Sequence, residues 1–184
     1  ASGSWWQRQL HIAHLDIIHP QIKWQPGLNL PQPLRQLQID DLTIDKMKLA
    51  WNNGSLDGGS LHLTNWQPIH DGEVLPFAEM KFDASVDRLQ FHSLQLGKTR
   101  VQGTQADQLV NITDLQSELF HGGMAAKFTW DLKSNQLSAP QLALANWQLD
   151  LQALPVLPLP LPQIAVEKVS LENVRVIDLS RDFA

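Results

Sequence analysis

The sequence of 184 residues contains no cysteine and no tyrosine. The missing cysteines exclude a disulfide framework, thiol catalysis and cysteine-ligated zinc. Cations are scarce, with 14 Lys and Arg against 19 Asp and Glu and a net charge of -5. A nucleic-acid binder needs a basic face, and electrostatic adhesion to an anionic membrane needs the same. No apolar run approaches the ~20 residues of a membrane-spanning helix, and no signal peptide is visible. Catalytic signatures are missing too, including HExxH and GxSxG. Gly97-Lys98-Thr99 echoes a phosphate-binding loop, but His92 stands where that motif needs glycine. Arg100-Val101-Gln102 continues as strand rather than helix, so the site reads as a hairpin turn. Neither catalytic residues nor a cofactor nor a metal site is expected. His11, His14 and His19 occupy polar positions and read as solvent-facing.

What is present is a spacing. With 43% hydrophobic and 18% charged residues, the chain has material for a real core. In QLQIDDLTIDKMKLAW (36–51) the apolar residues stand at 37, 39, 42, 44, 47, 49 and 51. The steps alternate between two and three. A helix gives steps of three and four, and an unbroken strand gives only twos. QLHIAHLDIIHPQIKW (9–24) and QIAVEKVSLENVRVID (163–178) share the register, and shorter copies run through 89–96 and 142–149. Such self-similarity marks a repeat architecture.

A strand that slips by one residue turns its apolar set to the other face unless something absorbs the slip. Two devices do so: a β-bulge, or a tight hairpin turn, for which Asp45-Lys46 and Glu172-Asn173 are candidates. Both keep one face apolar and the other polar, and the bulge reading puts Asp40 and Asp41 outside. Further turns are expected at Asn53-Gly54, Asp57-Gly58-Gly59, Asp71-Gly72, Gly97-Lys98, Gly122-Gly123 and Ser134-Asn135. The segment around 106–119 also suits a helix face, but Thr104, Asn111, Ile112 and Thr113 are poor helix formers, so it reads as strand.

The expected fold is therefore all-β, mainly antiparallel, with few or no helices. It is a curved one-sided sheet, a β-groove built of degenerate repeats, with a β-sandwich as the alternative. Repeat-like units fall near 8–24, 35–66, 78–101, 106–132, 137–151 and 163–179. Proline-rich crossings at 26–33 and 154–162 separate the end units, because proline cannot donate to a sheet ladder. Seven tryptophans read first as core packing at sheet edges. Trp24, Trp51, Trp66, Trp130 and Trp147 would otherwise form a sugar-stacking or lipid-interface platform.

The repeated units, together with the run Leu119-Phe120-His121-Gly122-Gly123-Met124-Ala125-Ala126-Lys127-Phe128-Thr129-Trp130-Asp131-Leu132, resemble AsmA-like proteins of Gram-negative envelopes. There the unit reads as a strand, an aromatic-Gly-Gly turn, and a small-residue strand ending in Asp-Leu. Met124-Ala125-Ala126 departs from the glycine-containing strand start of that pattern. The resemblance spans roughly residues 8–180. It implies a single β-rich segment, 1–184, of a larger periplasmic protein held at the inner membrane by a segment outside this chain. It also implies a role in binding or conducting phospholipid, or another apolar ligand, between membranes and in supporting outer-membrane assembly, with envelope proteins as further partners. The groove lining it implies is Leu37, Ile39, Leu42, Ile44, Leu49, Phe82, Val86, Leu89, Phe91, Leu94, Leu96, Phe128 and Trp130. The competing reading is a binding or structural module for a glycan or protein, without lipid.

Overall fold

Each slip in the sequence is a bend in a strand. A computed structural model describes residues 2–4, 9–23, 35–71, 73–74, 79–91, 94–119, 121–150 and 163–177. All the regular elements among these are strands: β1 (Ser2–Ser4), β2 (Gln9–Ile12), β3 (Leu15–Ile18), β4 (Gln21–Lys23), β5 (Gln36–Trp51), β6 (Gly54–His70), β7 (Glu73–Val74), β8 (Met80–Val86), β9 (Arg88–Phe91), β10 (Leu94–Leu96), β11 (Thr99–Ala106), β12 (Leu109–Leu119), β13 (Gly122–Asp131), β14 (Gln136–Ala145), β15 (Gln148–Asp150), β16 (Gln163–Val166), β17 (Val169–Glu172) and β18 (Arg175–Ile177). The segment around 106–119 is strand, as its composition suggests.

The sheet order is β1-β2-β5-β6-β8-β11-β12-β13-β14-β16. From β5 to β14 it is an antiparallel meander. At both ends the pairing turns parallel. Gln9 stands opposite Gln36, Leu15 opposite Leu42 and Gln21 opposite Lys48, a constant offset of 27 residues. Gln136 opposite Gln163, Leu142 opposite Val169 and Gln148 opposite Arg175 repeat that offset. Internally similar sequences are thus stacked on their own repeat register. Parallel neighbours need a long connection. The proline-rich segments 26–33 and 154–162 fall in these connections and lie outside the described residues, as does Trp24.

The slips are bulges, not hairpins. Asp45-Lys46 lies inside β5, with Lys46 in the left-handed region at φ 54. Its counterpart in the first repeat, His19, has φ 57, and Asn146 and Asn173 on the other flank have φ 60 and 53. Lys46 adds a residue against β6, where the register breaks between Ile44 and Met47, while His19 and Asn146 kink together with their parallel neighbours and still donate their N–H groups to Asp45 and Glu172. Two expected turns are also interior. Asp57-Gly58-Gly59 bulges within β6, with Gly58 at φ 68. Gly97-Lys98 is a kink between β10 and β11, where Gly97 N–H donates to Glu118 and Glu118 N–H donates to Lys98, so the run stays beside β12. Both sites carry turn chemistry because a bulge needs the same backbone freedom as a turn.

A second line of irregularity crosses the sheet where β12 and β14 make three-residue steps, from Ile112 to Leu115 and from Ala139 to Leu142. Register breaks occur at Gln102/Gly103 in β11, Ile112/Leu115 in β12 and Lys127/Thr129 in β13. Pro140 sits in β14 opposite the last of these, at the bulge where a strand tolerates a missing donor. The real hairpins use short turns. Asp107 and Gln108, with φ 49 and 65, close β11 onto β12 with no glycine. Both turn residues are left-handed, as a type I′ turn demands, but Asp-Gln lacks the glycine that usually marks one.

Candidate functional site

Alternation, bulges and register together gather the apolar side chains on one face in continuous rows. One row runs Leu15–Leu42–Leu63–Phe82–Gly103–Ile112–Phe128 across seven strands. The next runs Ile17–Ile44–Leu61–Ala84–Val101–Leu115–Ala126–Leu142–Val169. A third joins Leu49, Leu56, Leu89 and Leu96. Every expected lining residue lies on this face. Ile39 and Leu42 are buried, whereas Leu37, Ile44, Leu49, Phe82, Val86, Leu89, Phe91, Leu94, Leu96, Phe128 and Trp130 are half-buried.

The deepest point is a cluster of Ile39, Leu42 and Leu63, packed by Ile12, Leu15, Leu37, Ile44, Leu61, Trp66, Met80 and Phe82. All these come from strands β2, β3, β5, β6 and β8, which lie side by side. Among the described residues, lateral neighbours rather than a facing layer pack against it. Among the described residues no large side chain falls below 2% exposure. The dry core expected between the packed sheets of a sandwich is not what these strands build. The described strands belong to one sheet, with a short β15–β18 pair beside it.

Sequence reasoning missed the contribution of β6. Leu56, Leu61, Leu63 and Trp66 are spaced irregularly because Gly58 and Asn65, both left-handed, interrupt the strand. The small residues were also missed. A Cβ on Gly103 would stand 2.4 Å from the Asn111 carbonyl oxygen and 2.8 Å from Phe82 Cζ. This glycine lets the Phe82 ring lie over the strand. Two hydroxyls interrupt the apolar face, but Thr99 Oγ1 and Ser117 Oγ satisfy each other at 2.7 Å. Trp147 is buried and donates its indole N–H to the Gly123 carbonyl at 2.9 Å, while half-buried Trp130 donates to Asn135 Oδ1 at 3.2 Å. Both act as edge packing with a satisfied polar tip.

The opposite face is polar and cross-linked. Asp40 pairs with His11 at 2.7 Å, and Asp41 with His62 at 3.0 Å. His14 meets Asp16 at 2.9 Å. Asp83 accepts from Arg100 Nη2 and Gln102 Nε2, both at 2.7 Å. These bonds, led by that from Arg100, hold its carboxyl below the ordinary aspartate value. No group of three metal-ligating side chains converges among the described residues. A shallow depression of about 550 Å³ also lies here, lined in part by Ser85, Arg100, Gln116, Ala125 and Ala143. Those five form one cross-strand row on the polar face, and Val86, Thr99, Ser117 and Met124 line the depression as well. The face that can do something chemically distinctive is the apolar one: it offers a wide area of half-exposed hydrocarbon.

Comparison with protein-family models, with curated proteins and with solved structures finds no match to this chain.

Proposed function

We propose that the apolar face binds or conducts the acyl chains of phospholipid. In this reading the chain is a segment of an AsmA-like envelope protein that is anchored at the inner membrane and supports outer-membrane assembly. One observation carries the proposal. Apolar rows continue unbroken over up to nine strands, while most of their side chains keep part of their surface uncovered. A leucine gains ~1.5–3 kcal/mol on full burial, whether a side chain or an acyl chain covers it. Contiguous apolar surface of this extent marks an interaction site. The bulged strands suit the role because bulges bend a sheet, and a bent sheet wraps an elongated ligand.

The test uses purified protein, organic extraction followed by mass spectrometry, and uptake of a fluorescent phospholipid. Wild type should carry or take up lipid. Leu115→Arg, in the middle of the second row, should abolish uptake while strand content and melting stay close to wild type. Protein that is lipid-free and takes up no probe sinks the proposal.

A further inference from the structure

Among the described residues, the run β16–β17 is the last strand of the sheet. Gln163 and Glu167 donate their N–H groups to the Asn135 and Ala139 carbonyls at 3.1 and 3.0 Å. The carbonyls of Lys168 and Glu172 accept from Leu142 and Asn146 at 2.9 and 2.8 Å. Backbone groups alternate in direction along a strand, so Ile164, Val166, Val169 and Leu171 turn theirs away from the sheet. The same four side chains lie on the apolar face, opposite Leu137, Ala139, Leu142 and Leu144. They are 56%, 38%, 51% and 63% exposed. Edges are usually protected by proline or by repelling charge. Residues 163–177 contain no proline, and the two central charges, Glu167 and Lys168, are of opposite sign.

We propose that this edge pairs with the same edge of a second copy, antiparallel, about a twofold axis passing between Glu167 and Lys168. Ile164 then faces Leu171 of the other copy, Val166 faces Val169, Ala165 faces Ser170, and Glu167 faces Lys168, each reciprocally. Three independent features meet in this register. The outward backbone groups of 164, 166, 169 and 171 oppose one another. Apolar residues stand opposite apolar residues, so the apolar face runs on from one copy to the next. The Glu–Lys pair forms twice. A slip of one residue sets outward backbone against inward backbone and mixes the faces. A slip of two sets Val169 against Lys168 or Val166 against Glu167. A self-complementary strand is what a twofold, isologous contact requires.

The full chain should show a concentration-dependent monomer–dimer equilibrium by sedimentation. Ala165 and Ser170 would form a non-hydrogen-bonded pair with Cα atoms ~4.5 Å apart, inside disulfide range. Under mild oxidation a mixture of Ala165→Cys and Ser170→Cys proteins should give the mixed disulfide, while neither variant alone cross-links. Glu167→Lys should weaken the dimer about tenfold, because two cross-strand pairs become repulsive. Adding Lys168→Glu should restore it. A monomer at every concentration, as when another segment or protein owns this edge, overturns the proposal. So does a dimer that cross-links through Ala165→Cys alone or ignores the charge swap.

Discussion

Truncating a leucine tests whether the apolar face is open in solution. Leu63 is 5% exposed, between Leu42 and Phe82. Leu142 is half-buried, between Ala126 and Val169. Leu→Ala in a closed core costs about 2–5 kcal/mol, the upper part of the range being a term for the cavity left behind. On an open face the space left by Leu63 joins the solvent or collapses, so the cavity term shrinks. Leu63→Ala should then cost about 2–3 kcal/mol, near the transfer value alone. Leu142→Ala removes less buried hydrocarbon and should cost about 1–2 kcal/mol. Urea unfolding measures both through the midpoint, provided that the m-value holds. A cost of 4 kcal/mol or more for Leu63→Ala, or equal costs for the two, would mean that a second layer covers the face and that the one-sided reasoning is mistaken.

Gly103→Val should destabilise by about 2–3 kcal/mol in the same assay, since its Cβ would meet the Asn111 carbonyl and the Phe82 ring. Lys46→Gly should stabilise by about 0.5–1 kcal/mol, because relief at φ 54 exceeds the extra entropy of the unfolded glycine. Lys48→Gly, on the same strand at an ordinary φ, should instead destabilise. Asp83 has its folded pKa lowered, first by the Arg100 hydrogen bond. Its contribution is therefore present above the unfolded value of about 3.9 and lost as pH falls through the folded one. The difference in urea midpoint between wild type and Asp83→Asn should be modest at pH 7, since the pair is partly exposed and screened by salt. It should shrink as pH falls below that unfolded value, and a gap unchanged at the acid end would remove Asp83 as its source.

The apolar face was legible wherever alternation ran cleanly. Leu37, Ile39, Leu42 and Ile44 in β5, and Phe82 and Val86 in β8, lie on the expected face because a period of two has only one inward set. The β6 residues Leu61 and Leu63 escaped, since bulges at Gly58 and Asn65 hide the period. Gly97-Lys98 and Asp57-Gly58-Gly59 were read as turns for a related reason. Glycine beside a polar residue reports backbone freedom, and a bulge within a strand draws on the same freedom as a chain reversal.

By itself, the sequence determined that this chain is a one-faced β structure with a recurrent slip, because side-chain alternation is a local property that each segment carries alone. Which strands become neighbours is set by pairing in three dimensions. That pairing turned the match between 9–23 and 36–51, and between 136–150 and 163–177, into parallel stacking at one offset, with an antiparallel meander between. It also decided that most of the apolar face stays half-covered. Both are matters of pairing between distant segments, and a hydrogen-bond ladder leaves no mark on the spacing of either strand alone.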